Sequence, residues 1–343
     1  MTDAQSDELT AAVDAILTEA GIATNRSLVR RIVSTGIRLG QEDTDRLDLK
    51  ITSAAIVEMR DAFRLFQPYS GVPKVTVFGS ARTQQDDPLY IQARDIAAVL
   101  ADRGWMVVTG AGPGIMQAAA EGAGEKMALG VSIQLPFEEK PDAVIAEDTH
   151  RVEMKYFFTR KLMLVKESTG FICLPGGFGT MDEMFELLTL QQTGKAEPTP
   201  IVLLDEPGGT FWRGLERFIV EELIPAGVIS ADDFDRVLIT DSAEEAVEEI
   251  TGFWRNYDSL RWAGDVLVLR LKYPPTEAEV AALNTEFASV LASGRIELST
   301  ALPAEVSDRD RVDLPRLTLR LLRREVGGLY RLIDAINALR SAR

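Results

Sequence analysis

The chain has 343 residues, 46% of them hydrophobic, and carries 37 lysines and arginines against 53 aspartates and glutamates, a formal net charge of −16 at pH 7. This length can hold one large domain with smaller additions, and the acidic balance disfavours polymeric nucleic acid or an anionic membrane as partners, since both require a broad basic surface. The single cysteine, Cys173, excludes an intramolecular disulfide, and the lack of a Cys/His cluster predicts neither a metal nor another cofactor.

The amino-terminal part of the chain has no basic or apolar signal region and no apolar span of membrane length, so we expect a cytoplasmic protein. Residues 6–66 repeat apolar side chains at helical spacing and lead into the turn-rich segment 67–73. These features predict an α-helical extension over residues 1–71.

Apolar strands alternate with helices through the central part of the chain. The predicted strands are 75–78, 105–109, 131–135, 170–174, 201–204 and 237–239, and the predicted helices are 90–103, 115–129, 152–168, 181–193 and 212–223. This alternation is typical of an α/β fold with a Rossmann-like, doubly wound parallel sheet, which we assign to residues 72–252. Such sheets bind ligands at the carboxyl ends of their strands, beside the switch in strand order.

Three glycine-containing loops follow predicted strands and lie at those carboxyl ends. Their candidate binding residues are Ser80 in the first loop, Gly110, Gly112 and Gly114 in the second, and Gly176, Gly177, Gly179 and Thr180 in the third. Glycine lets the backbone come close to a ligand, and the N–H groups of a helix start favour an anion such as phosphate. Ile115 stands where a dinucleotide fingerprint has its third glycine, and Gly194-Lys195 lacks the other residues of a Walker A motif.

The third loop also brings an acid, Glu183, to the same place. A phosphate-binding helix start with a carboxylate beside it suggests a bound nucleotide. The alternative is a capping box, in which Thr180 caps the helix and Glu183 reaches back to a backbone N–H. Cys173, inside an apolar strand, is expected to be a buried thiol, and the lone histidine, His150, to have a surface or cap role.

Residues 260–343 predict a small α+β module. It has strands at 266–271, 296–298 and 317–321 and helices at 276–291 and 328–339. The last segment carries arginines that we expect on a solvated face or at a subunit contact, with a regulatory nucleotide site as a second possibility: Arg316, Arg320, Arg323, Arg324 and Arg331.

Between about residues 74 and 205 the chain resembles the LOG family, phosphoribohydrolases that release a free base from nucleoside 5′-monophosphates and are known for cytokinin activation. The resemblance is carried by Gly79-Ser80, the 110–116 loop, Arg160-Lys161 and the 175–183 block, in that order. It implies that Arg160 and Glu183 are the catalytic pair. It also implies that Gly176, Gly177, Gly179 and Thr180 hold phosphate and ribose, with Lys161 and Thr189 nearby.

The chain departs from the family pattern in one motif and in its length. The family's Met-His-x-Arg-Lys is here Phe157-Phe158-Thr159-Arg160-Lys161, so that only the Arg-Lys pair is kept. The chain is also longer than plant-type members, and in this it resembles a broader bacterial branch for which purine nucleotides are the expected substrates.

The residues support the implied chemistry independently. Breaking an N-glycosidic bond builds positive charge on the ribose, which a carboxylate such as Glu183 can stabilise while it takes a proton from water. Two other functions stay open: a non-catalytic carrier of a nucleotide or pterin cofactor, and a pyridoxal-phosphate lysine decarboxylase using Lys155, Lys161 or Lys166.

The helices predicted around Arg160 and Glu183 carry apolar residues on more than one face. One apolar stripe is enough to cover a sheet, so the surplus predicts a second packing partner. We expect a homodimer or a larger assembly of dimers, as the resemblance also implies. The alternative is that the helical extension covers the surplus within one chain.

Overall fold

The computed structural model describes residues 3–134, 150–234, 236–322 and 326–342. The chain divides into two units, Met1–Arg60 and Asp61–Arg343. The first unit contains helices α1 (Asp3–Glu19) and α2 (Arg26–Gln41) and most of α3 (Arg46–Phe66), whose last turns belong to the second unit. Asp14 joins the first two helices through an ion pair with Arg30 at 2.8 Å. The helical extension is confirmed, and the boundaries 1–71, 72–252 and 260–343 stay a prediction.

The second unit is built on a seven-stranded sheet. Its strands are β1 (Lys74–Phe78), β2 (Met106–Thr109), β3 (Ala128–Ile133), β4 (Arg151–Met154), β5 (Gly170–Cys173), β6 (Ile201–Leu204) and β7 (Val237–Thr240). All neighbours pair in parallel, in the order β4-β3-β2-β1-β5-β6-β7. The chain thus winds outward from β1 in one direction and from β5 in the other. The doubly wound sheet is confirmed, and its switch point lies between β1 and β5.

The helices of this sheet are α4 (Pro88–Asp102), α5 (Ile115–Ala123), α6 (Phe157–Lys166), α7 (Phe178–Gln192), α8 (Phe211–Phe218) and α9 (Ala243–Gly252). Buried side chains of the strands and of α4, α5 and α9 form one apolar core, with Val77, Ile96, Ile115, Ile172 and Ile250 among its members. No helix in the described part of the chain has the length and apolar character needed to cross a membrane.

Two of the helices predicted around the parallel sheet were too long, as was the helix predicted over 276–291, which ends at Glu286. The helix predicted over 115–129 ends at Ala123, because Gly124 has φ +74°, and β3 begins at Ala128. The helix predicted over 152–168 begins only at Phe157, since residues 151–154 pair with β3 as an edge strand. Alternate residues of that strand are buried, as in a half-buried strand. A run of four residues is too short to show this alternation clearly in the sequence. Position 135, the end of one predicted strand, lies outside the described residues.

The carboxyl-terminal part forms the expected α+β module. It contains β8 (Tyr257–Ala263), β9 (Val266–Leu271), α10 (Glu277–Glu286), β10 (Leu291–Ser299), α11 (Pro303–Asp308), β11 (Arg316–Leu321) and α12 (Val326–Asn337). Its antiparallel sheet has the order β10-β11-β9-β8. The indole N–H of Trp254 donates to the carbonyl of Thr169, and the hydroxyl of Tyr330 accepts from the N–H of Thr199. The first bond joins the segment that leads into this module to the residue before β5. The second joins α12 to the segment before β6.

The expectation of a solvated arginine face is wrong for Arg316, which is 1% exposed. Its guanidinium lies 2.7 Å from one oxygen of Glu305, whose other oxygen accepts from Arg270 at 2.8 Å. A buried arginine needs such a partner, so Glu305 compensates the charge that burial would otherwise leave unpaired. Arg320 is exposed and pairs with Asp265, Arg331 pairs with Asp232, and Arg323 and Arg324 lie outside the described residues.

Candidate active site

The three glycine loops meet at Ser80, directly after β1. The Ser80 N–H donates to the carbonyl of Pro175 at 3.3 Å, and the Ser80 carbonyl accepts from the N–H of Ile115 at 3.0 Å. One residue of the first loop is therefore bonded to both of the other loops. The structure brings the predicted binding loops together at the switch point of the sheet, where a doubly wound fold takes its ligand.

Several of the glycines are required by this convergence itself. Gly114 has φ +67°, and a Cβ there would lie 2.3 Å from the Ser80 carbonyl oxygen. A Cβ on Gly176 would lie 2.2 Å from the hydroxyl of Thr180, and one on Gly112 would lie 2.7 Å from the terminal carbon of Met116. A side chain at any of these positions would force neighbouring groups apart. Loop packing accounts for Gly114 and Gly176 without a ligand, whereas the flexible end of Met116 can move aside for a side chain at position 112.

Gly177 and Gly179 are different, because a Cβ on either would meet no atom of the described residues within 4 Å. Gly177 precedes the first residue of α7, and no side chain of the described residues caps this helix. The first backbone N–H groups of α7 therefore lie beside open space, which is the arrangement that binds anions at helix starts. Phe178, between the two glycines, is 96% exposed.

The capping-box interpretation of Thr180 and Glu183 is wrong. The helix begins at Phe178, three residues earlier than predicted, so both residues lie inside it. Thr180 is buried in the first turn. Glu183 projects from the second turn, where a backbone cap has no function.

Arg160, on α6, is fixed by backbone carbonyls. Its Nε donates to the carbonyl of Val131 at 2.9 Å, and its Nη2 to the carbonyl of Gly110 at 3.5 Å. A Cβ on Gly110 would lie 2.0 Å from that Nη2, so glycine is needed there to leave room for the guanidinium. Burial lowers the Arg160 pKa, and the charge of Glu183 opposes this shift. The second loop thus helps to hold an arginine.

Glu183 faces this arginine across a gap. The Nη1 of Arg160 and the Oε1 of Glu183 are 3.8 Å apart, close enough for attraction but too far for a hydrogen bond. Glu183 is 5% exposed, and its Oε2 has no hydrogen-bond partner among the described residues. Burial raises the pKa of Glu183 to about 7, although Arg160 and Lys161 act to lower it. A carboxyl group with this pKa can accept a proton near neutral pH.

Lys161, expected near the substrate, is instead held by protein carboxylates. Its amino group lies 2.8 Å from Asp182 and 2.6 Å from Glu186, on either side of Glu183 along α7. Burial alone would lower the Lys161 pKa, but the hydrogen bonds that Lys161 donates to Asp182 and Glu186 outweigh burial, and the pKa is raised. Neither acid was predicted from the sequence. Asp182 and Glu186 are four residues apart and so lie on one face of a helix, which is the sequence signal that could have revealed a shared partner.

Three further residues singled out from the sequence have other environments. Thr189 is exposed six residues further along α7, about 9 Å along the helix axis and on another face. Cys173 is fully buried, and burial raises its thiol pKa, as an inert thiol requires. His150 pairs through Nε2 with the hydroxyl of Tyr69 at 3.0 Å.

Comparisons with known proteins show the family of this chain. A family described as "possible lysine decarboxylase" matches residues 114–250. The chain is 31% identical over 163 residues to the cytokinin riboside 5′-monophosphate phosphoribohydrolase of Mycobacterium tuberculosis, covering 45% of this chain and 81% of that protein. It is 28% identical over 170 residues to a probable enzyme of the same name from Oryza sativa subsp. japonica, covering 48% and 77%.

Among solved structures, the molybdenum cofactor binding protein of Rippkaea orientalis matches with a TM-score of 0.37 and 21% identity, over 52% of this chain and 96% of that one. A superposition at this level says nothing about function. The similarity to the mycobacterial enzyme spans most of that enzyme's length, and the family match includes both Arg160 and Glu183. The chain belongs to the LOG family of phosphoribohydrolases.

Proposed function

We propose that this protein hydrolyses the N-glycosidic bond of nucleoside 5′-monophosphates, AMP or related purine or cytokinin ribotides, and releases the free base and ribose 5-phosphate. The observation that carries the proposal is Glu183: a buried carboxyl with one oxygen unpartnered among the described residues and a pKa of about 7, on the second turn of a helix whose start is open to an anion. The names of the relatives agree with this chemistry.

The reaction follows from the roles that these groups can take. The bond from C1′ to the base nitrogen breaks, its electron pair leaves with the base, and positive charge builds on the ribose. Ionised Glu183 stabilises that charge and takes a proton from the water that adds to C1′. The departing base gains a proton, so that one water is consumed for each base released. Arg160, fixed beside Glu183, orients the carboxylate and a ribose hydroxyl or phosphate oxygen.

The helix start of α7 and the glycine loops would hold the 5′-phosphate. Binding energy at a remote phosphate helps the reacting centre, so adenosine should be a much poorer substrate than AMP. Incubation with both compounds, followed by chromatography of the free base, tests this. Equal turnover of adenosine and AMP would contradict the phosphate anchor, and AMP binding without any base release would favour a carrier.

Lys161 argues against the decarboxylase alternative. A Schiff-base lysine reacts as a neutral amine, whereas Lys161 has a raised pKa and is ion-paired with Asp182 and Glu186. Among the other two candidate lysines, Lys166 pairs with Glu167 and Lys155 lies against the ring of Tyr156. The pairing of Arg160 with an acid that can accept a proton favours hydrolysis.

The same helices support a dimer. The apolar residues of α6 and α7 divide into a buried set, including Met163 and Met184, and an exposed set. The exposed set is Phe157, Phe158, Leu162 and Phe185, with 54%, 54%, 44% and 41% of each residue accessible. We propose that a second copy of the chain covers the exposed set. Light scattering should give twice 37.7 kDa, and a single 37.7 kDa species across micromolar concentrations would contradict the dimer.

A further inference from the structure

Among the described residues, a substrate phosphate entering this site meets few available cations. Arg160 is bonded to two backbone carbonyls and faces Glu183, and Lys161 is held between Asp182 and Glu186. When Glu183 is ionised, three carboxylates of α7 stand against two basic side chains of α6, a local balance of −1. Backbone N–H groups at a helix start carry only partial charge. Tight binding of a phosphate dianion therefore calls for another positive group.

Arg82 is rooted at the junction of the three loops. Its backbone N–H donates to the Ser80 hydroxyl at 3.1 Å, and its carbonyl accepts from the side chain of Gln84 at 2.9 Å. Ser80 itself contacts the phosphate-binding loop: its backbone nitrogen lies 3.0 Å from where a Cβ on Gly176 would stand. The backbone of Arg82 is thus fixed two residues after Ser80, and Ser80 contacts the loop that leads to Gly177 and Gly179.

The guanidinium of Arg82 is uncommitted. The side chain is exposed, and in the part of the chain that the structure describes it forms no ion pair or side-chain hydrogen bond. An arginine stem of three methylenes carries a planar fork away from its root, and that fork matches two oxygens of a phosphate. Arg82 is thus an exposed arginine without a side-chain partner among the described residues, two residues from the Ser80 junction, and it carries the charge that the local balance calls for.

We propose that Arg82 is the side chain that recognises the 5′-phosphate, and that it gives the site its preference for a nucleoside monophosphate over the nucleoside. This inference rests on the proposed function for its substrate. The backbone of α7 would receive the phosphate on one side, and the Arg82 fork would close on it from the Ser80 loop, adding a positive charge that no carboxylate of α7 offsets.

The test compares Arg82→Ala and Arg82→Lys with a matched control, Arg94→Ala. Arg94 is also exposed, lies on the helix that follows the same loop, and pairs only with its neighbour Asp95 among the described residues. Arg82→Ala should lower kcat/KM for AMP by about 10- to 100-fold, the usual effect of losing a hydrogen bond to a charged group. Turnover of adenosine should stay unchanged, the lysine variant should recover part of the loss, and Arg94→Ala should behave as wild type.

Binding of ribose 5-phosphate, measured by calorimetry, gives a readout that does not depend on turnover. Arg82→Ala should weaken this binding by a similar factor. A variant with wild-type affinity for ribose 5-phosphate and an unchanged preference for AMP over adenosine would overturn the assignment. If the wild-type protein released no base from AMP, the proposed function would fail, and the calorimetric comparison would still decide the role of Arg82.

Discussion

Replacing Glu183 with glutamine should lower the turnover of AMP by a factor of about 10² to 10⁴ or more, the range expected for loss of a general base. The amide keeps the shape of the side chain but cannot take a proton from water. Nucleotide binding should be largely retained, because the phosphate is held elsewhere. Calorimetric titration of the variant with AMP, beside a turnover assay, separates the two effects.

The variant should also fold. Burial raises the Glu183 pKa to about 7 from an ordinary 4.5, so ionisation of this group opposes folding as the pH rises from about 4.5 through about 7. Glutamine removes that opposition and loses the attraction of Arg160, two changes of opposite sign. If the variant unfolds while its activity per folded molecule is unchanged, Glu183 has a structural role and the mechanism is wrong.

The matched control for Glu183→Gln is Glu186→Gln, which should change the pH dependence of turnover without removing the base. Turnover by the wild-type protein should rise with pH through about 7, because the ionised form of Glu183 is the active base. Glu186 lies on the same helix, and its charge raises the pKa of Glu183. Glu186→Gln should therefore keep most of the activity and move this rise to lower pH. If Glu186→Gln lost as much activity as Glu183→Gln, the assignment of Glu183 alone as the base would be contradicted.

Replacing Arg160 with alanine should impair both binding and turnover. The change removes the group that orients Glu183, and it also takes away a positive charge that lowers the Glu183 pKa. We expect a higher KM for AMP and a kcat reduced by on the order of a hundredfold or more, with the rise in activity moved to higher pH. Steady-state kinetics across pH measure all of these quantities.

Gly110→Ala tests the same role without touching Arg160. Its methyl group would lie 2.0 Å from the Arg160 Nη2, so the guanidinium must move from its place beside Glu183. Gly214→Ala, on α8, where a methyl group meets no atom of the described residues within 4 Å, is the matched control for the added methyl. Normal binding and turnover in Arg160→Ala would contradict the assignment of the pair.

The parallel sheet was predictable from the sequence because each buried strand is a short apolar run that ends in glycine or a turn. The prediction of helix and strand boundaries failed where a segment was too short for its apolar spacing to distinguish a strand from a helix. Residues 151–154 form a strand of four residues directly ahead of α6, and the helical spacing of α6 extended the predicted helix backwards over that strand. Gly124 marked the end of α5 only through its backbone conformation, which apolar spacing does not report.

The glycine loop and helix start pointed to Glu183, and the resemblance to the LOG family implied its pairing with Arg160, but neither predicted the partners of the residues around them. The resemblance placed Lys161 near the phosphate and ribose, but it gave no sign of the ion pairs that Lys161 makes with carboxylates of α7. The role of Gly110 in making room for Arg160 depends on packing between distant segments. Arg316 was predicted as a surface charge because its partner, Glu305, is brought to it only by the fold of the carboxyl-terminal module.

Quantifying both products from AMP is the most direct measurement of the proposed hydrolysis. Purified protein incubated with AMP should release adenine and ribose 5-phosphate in equal amounts, and Glu183→Gln under the same conditions should release neither at a comparable rate. Products other than this pair, or equal release by wild type and Glu183→Gln, would contradict the assignment of Glu183 as the base in an N-glycosidase.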